Sequence, residues 1–187
     1  MDPTSSQNTR LSAVERNRSW LWKLARLVSL RRFGKVLTPL KVVYSRKPAL
    51  IPISAAIDWV RERKLHLDSQ LRFLVLVRTS QLNDCSFCHD LVKAQAIRAK
   101  LGVEKFGALH EWDKSELFSG RERVLLAATE ELCKTHDLSE ETFAALKEHF
   151  SDDDIVEIIW LCASETYFNI MAHSLRIPSD RLAQPRT

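Results

Sequence analysis

Leu71-Arg72-Phe73-Leu74-Val75-Leu76-Val77-Arg78-Thr79-Ser80-Gln81-Leu82-Asn83-Asp84-Cys85-Ser86-Phe87-Cys88-His89 runs an apolar helix straight into a helix that opens on two thiols. Phe73, Leu74, Val75, Leu76, Val77 and Leu82 make the first segment apolar on most sides, the pattern of a buried helix. Asp68 can cap its start. The second segment, about residues 85–101, passes through Leu91, Val92, Ala94 and Ala96 and is closed by Gly102. Asn83 or Asp84 is its expected cap.

The same reading extends in both directions. Helices are expected at 49–63, 103–111, 121–135 and from Ile155 to about Leu175, with Pro178 beyond the last. Two starts stand out. Ser139 precedes Glu140 and Glu141, with Leu138 and Phe143 placed as a staple. Ser151 precedes Asp152, Asp153 and Asp154, with Phe150 and Ile155 in the same relation. Residues 1–10 are expected to be disordered and 37–48 to be a connector. Residues 11–32 read as a basic amphipathic helix with Leu11, Val14, Trp20, Leu21, Leu24, Leu27, Val28 and Leu30 among Arg and Lys. Such a helix can touch lipid headgroups, but packing on its own domain or a neighbouring subunit is the better reading. There is no convincing strand pattern and no repeat. The expected architecture is all-α, a compact bundle of roughly seven or eight helices with no sheet. Residues 35–180 would form the domain, 1–34 an N-terminal extension and 181–187 a tail.

At 187 residues, with 45% hydrophobic residues, four Gly and six Pro, the chain can bury a real core made of long helices. The net charge of +4 is too mild to argue for nucleic acid, although residues 10–47 are rich in Arg and Lys and nearly free of acids. No apolar run reaches the ~18 residues of a membrane span. The N-terminus lacks the order of a signal peptide. The expectation is a cytoplasmic protein.

Four cysteines are present, and only Cys85 and Cys88 are close in sequence. Cys85-Ser86-Phe87-Cys88-His89 matches a haem-attachment pattern, but no export segment accompanies it and Met171 is the only internal methionine. A structural zinc site needs four ligands, and Cys133, Cys162, His136, His149 and His173 are scattered. Cys133 and Cys162 read as small core residues. A redox dithiol suits the pair better. Residues i and i+3 lie on one helix face, close enough to bridge. A helix N-terminus favours thiolate, and His89 is a neighbouring base. Two inert buried cysteines are the plain alternative. No metal and no nucleotide cofactor is expected, since neither a dinucleotide fingerprint nor a P-loop occurs.

Arg78-Thr79-Ser80-Gln81-Leu82-Asn83-Asp84-Cys85-Ser86-Phe87-Cys88 resembles the carboxymuconolactone decarboxylase superfamily, in its alkylhydroperoxidase D-like (AhpD-like) branch. Phe118–Ala127, with Arg121-Glu122-Arg123, is similar to that family's helix start, and His149–Glu157 to its entry into the final helix. Asn169 and Leu175-Arg176-Ile177-Pro178 add to the likeness, which spans about residues 35–180. The resemblance implies an AhpD-like helical bundle that forms homo-oligomers, trimers or hexamers. It also implies a thiol peroxidase in which Cys88 attacks a hydroperoxide, Cys85 resolves and an external dithiol reduces the pair. The family's relay glutamate and histidine fall at Phe73 and Val92, which carry no proton, so His89 is the candidate replacement. Two alternatives follow: a weak or inactive member serving as a redox-sensing or structural oligomer, and a lactone decarboxylase-like enzyme.

Overall fold

A computed structural model describes residues 9–101 and 104–184. The expected closing residue Gly102, the expected helix start at Val103, residues 1–8 of the stretch 1–10 expected to be disordered and residues 185–187 of the expected tail 181–187 lie outside the described residues. The described chain is helical and contains no strand. Its α-helices are α1 (Trp20–Phe33), α2 (Leu50–Arg63), α3 (Ser69–Leu82), α4 (Ser86–Arg98), α5 (Glu104–Ala108), α6 (Gly120–Thr135), α7 (Glu140–His149) and α8 (Asp152–Ser174). A π-helical turn covers Leu40–Tyr44 inside the expected connector, and a 3-10 turn, Leu109–Glu111, follows α5.

The chain's polar punctuation sets most of these limits. The Asp68 carboxylate accepts from the Gln70 N–H at 2.8 Å, and the Ser139 hydroxyl accepts from Thr142 N–H. Ser119 with Glu122 and Ser151 with Asp154 close full capping boxes. α1 ends on Gly34, whose φ of 75° is the left-handed stop that a Cβ would disfavour.

α3 is the central helix and packs against α4, α6 and α8. Leu74, Val75, Val77, Leu125, Leu126, Ile158 and Leu161 form the heart of the main core. Each such side chain contributes about 1.5–3 kcal/mol when removed from water. A second, smaller cluster collects Val42, Val43, Cys85, Phe87, Cys88, Ala172 and Ile177. The two thiols therefore sit where the π-helical turn, the start of α4 and the end of α8 meet. α8 is long and apolar enough to cross a membrane, but 50% of its most apolar window is buried inside the protein, as in a core helix.

Two sequence expectations change here. The N-terminal helix begins at Trp20, not residue 11. Arg10 N–H donates to Leu175 O and Val14 N–H to Lys41 O, both at 3.0 Å, so tertiary bonds claim the backbone that a helix would have used. Arg10 is thus held in place rather than disordered. The cap of α4 is Cys85 itself, not Asn83 or Asp84. Asp84 takes a left-handed φ of 49° and turns the chain so that the next residue can cap.

α1 does pack on its own protein: Trp22 is buried and its Nε1–H donates to Leu40 O at 2.9 Å. Its outer stripe of Trp20, Leu24, Leu27 and Val28 remains exposed.

Candidate functional site

Cys85 and Cys88 are joined by a disulfide, with their Cα atoms 5.3 Å apart. The turn before them is fixed from α3: Cys85 N–H donates to Ser80 O at 2.9 Å. Cys85 Sγ accepts from Cys88 N–H at 3.3 Å, one of the N–H groups that the first turn of α4 leaves unpaired. This is the electrostatic setting that stabilises a thiolate when the bridge is open. Both residues are nearly enclosed, at 2% and 3% exposure.

The two sulfurs differ in what borders them. An open cleft of about 610 Å³ is lined by Arg10, Asp84, Cys85, Ser86, His173 and Arg176, among others. Among the described residues, Cys88 and His89 do not line it. Arg10 reaches the cleft because its segment is tied to the end of α8, through the backbone and through Nη1–H to Ser174 O at 3.1 Å. Arg176 follows α8 with a φ of 52°.

His173 is the residue that sequence reasoning passed over. Its Nδ1 lies 2.7 Å from Asp84 O. A carbonyl oxygen only accepts, so Nδ1 carries the hydrogen and the neutral ring keeps its lone pair on Nε2. Its nearness to Asn169 and to Leu175–Pro178 was the available signal, one turn away on α8. The left-handed Asp84, which the sequence did not announce, completes the contact.

His89 takes a different position. Its Nε2 is buried without a hydrogen-bond partner. Burial, reinforced by Lys93 and opposed by Asp90, holds its pKa below the ordinary value. Asp90 accepts from the N–H groups of Leu182 and Ala183 at 2.8 and 2.9 Å. Phe73 and Val92, at the family's relay positions, both pack in the main core.

Behind the thiols lies a buried polar network. Glu165, 2% exposed, pairs with Arg61 at 2.9 Å and accepts from Ser80 Oγ and Asn169 Nδ2 at 2.8 and 2.9 Å. Asn83 Nδ2 donates in turn to Asn169 Oδ1 at 2.9 Å. The network locks the Ser80–Asp84 turn onto α8 and α2. Cys133 and Cys162 are free. Burial raises both thiol pKa values, that of Cys162 to about 12, so both stay protonated at neutral pH.

The carboxymuconolactone decarboxylase family model matches residues 52–131, from α2 into α6. The chain is 24% identical to the uncharacterized protein YnjA of Escherichia coli over 178 residues, covering 94% of this chain and 93% of that one. Its fold is similar to the alkylhydroperoxidase AhpD core of an uncharacterized peroxidase-related protein from Ralstonia eutropha JMP134, with a TM-score of 0.73 and 23% identity over 88% of this chain and 90% of that one. It is also similar to a cysteine-to-alanine variant of the debrominase Bmp8 in complex with 2,3,4-tribromopyrrole, with a TM-score of 0.80 and 17% identity over 95% of each chain.

Proposed function

Because this chain belongs to the carboxymuconolactone decarboxylase superfamily and has the AhpD-like fold, we propose that it is a thiol-dependent peroxidase cycling the Cys85–Cys88 pair. The observation that carries the reading is the disulfide itself, set at the start of α4 with a cleft at one sulfur. Cys88 thiolate attacks the outer peroxide oxygen. The O–O bond breaks, Cys88 becomes sulfenic acid and the alkoxide leaves as an alcohol after taking a proton. Cys85 then displaces water from Cys88 and closes the bridge. An external thiol reductant supplies two electrons and two protons to reopen it. That requirement suits the reducing cytoplasm. The exposed apolar residues Ile53 and Trp59 on α2 and Val156, Ile159 and Ile170 on α8 support assembly with further copies, which light scattering would read.

The test is stoichiometric hydroperoxide added to the reduced chain, with thiols counted by mass spectrometry. The wild type should lose two thiols to a Cys85–Cys88 bridge. Cys85→Ser should stop at a trappable sulfenic acid, and Cys88→Ser should not turn over. Thiols that survive excess peroxide in the wild type would end the peroxidase reading.

One observation favours a second reading. With Phe73 and Val92 in the core, the usual proton relay is absent, which suits a redox-sensing oligomer. A peroxide rate constant no higher than that of free cysteine, with the bridge still forming, would select it.

A further inference from the structure

We propose that the bridge is reopened at Cys85, by a small thiol that carries a carboxylate. This rests on the reading that the disulfide is cycled, and it adds the class of reductant. Both residues are almost equally enclosed, yet of the two only Cys85 lines the cleft. A thiolate attacks a disulfide sulfur in line with the S–S bond, so the attacked sulfur needs free space on the side away from its partner. The cleft borders Cys85, and its volume of about 610 Å³ is in the range of small-molecule sites, about 300–1,000 Å³.

The lining gives the charge of the incoming group. Arg10 and Arg176 face the same cleft as Cys85, opposed by the Asp84 carboxylate alone. Arg10 uses a hydrogen of Nη1 on Ser174 O, which leaves further guanidinium hydrogens for a ligand. Two guanidiniums beside a disulfide match a carboxylate, which accepts in bidentate fashion. They do nothing for a neutral thiol.

In the reaction, His173 Nε2 takes the thiol proton and the thiolate attacks Cys85 Sγ. The S–S bond breaks and its electron pair leaves on Cys88 Sγ, in the first turn of α4. A second molecule of the same thiol attacks the bound sulfur of the mixed disulfide and releases Cys85. Two thiols are oxidised to one small disulfide, and their protons end on Cys85 and Cys88.

The experiment uses the full oxidised chain and three thiols at equal thiolate concentration: glutathione, 2-mercaptoethanol and cysteamine. Glutathione should react fastest, ahead of 2-mercaptoethanol by about tenfold, the value of one well-placed charge contact. Added salt should shrink the gap. Acid quenching and peptide mapping should find the first adduct on Cys85. Arg10→Glu with Arg176→Glu should reverse the order in favour of cysteamine. Equal rates for the three thiols, an order unchanged by charge reversal, or an adduct on Cys88 would overturn the proposal. So would a protein dithiol that outpaces all three without regard to the arginines. Failure of the bridge to form at all would remove this proposal together with the peroxidase. A selective reduction in a chain that ignores peroxide would remove the peroxidase alone.

Discussion

At the scale of single residues, the histidine we propose as the base is not the one that the sequence nominated. His89 adjoins Cys88 in the chain, and adjacency made it the candidate base. Successive helical residues diverge by about 100°, and its Nε2 ends buried and unpaired. His173 is 85 positions beyond Cys88, yet its ring is anchored on Asp84, the residue before Cys85. Replacing His173 with Ala should slow opening of the bridge by thiols, and free imidazole should restore part of the rate. Rescue marks a proton carrier, since a lost structural contact would not respond to imidazole. His89→Gln should leave the same rate within about twofold. A loss at His89 that exceeds the loss at His173 would reverse the assignment. The thiols themselves were legible, because their spacing and their place at a helix start are local properties. The identity of the base was not, because it depends on where a helix 85 residues later comes to rest.

At the scale of elements, caps were the most legible feature and tertiary tethers the least. Asp68, Ser139 and Ser151 each begin the helix expected of them, since a side-chain acceptor and the N–H it satisfies lie within three residues. The start of α1 was misplaced by nine residues, because hydrogen bonds from residues 10 and 14 to Leu175 and Lys41 leave no local trace. The same holds for the Arg61–Glu165 pair that fastens α2 to α8 and, through Ser80, to α3. A buried pair of this kind costs about 3–5 kcal/mol when one partner is removed, because the other charge is left enclosed. Glu165→Ala should therefore lower the unfolding free energy, read from urea denaturation, by that amount. Arg61→Met combined with Glu165→Leu should recover most of it. The double variant would also loosen the Ser80–Asp84 turn, so its thiols should oxidise with altered rates while its stability returns. A single variant as stable as the wild type would show that the pair holds nothing together.

At the scale of the whole molecule, the titrating groups give stability a shape in pH. His89 has its pKa held down by burial, with Lys93 adding to it. Its contribution is complete above its ordinary value of 6.5 and is lost as the pH falls through the lower folded value. Glu130 acts further down. Burial pushes its pKa up, but hydrogen bonds from Trp112, Lys134 and Arg78 outweigh burial and hold it at about 2. Stability from Glu130 is thus present above 4.5 and drains away between there and about 2. Asp58 has the reverse sign. Burial, only partly countered by Arg61 and Arg32, raises its pKa from 3.8 to about 6. The folded state therefore bears its full cost above about 6, and the cost is relieved as the pH falls towards 3.8. Between those values the relief at Asp58 opposes the loss at His89, and below 4.5 the loss at Glu130 pulls the melting temperature down. None of this was legible in the sequence, where Asp58 is one acid among 24 Asp and Glu and nothing marks it as enclosed. Asp58→Asn keeps the shape and removes the charge. It should raise stability at pH 7.5 by about 1–2 kcal/mol, a few degrees in melting temperature, and do nothing at pH 3.5. Scanning calorimetry across that range reads the difference directly, and an equal gain at both pH values would mean that the carboxylate is not strained by its surroundings.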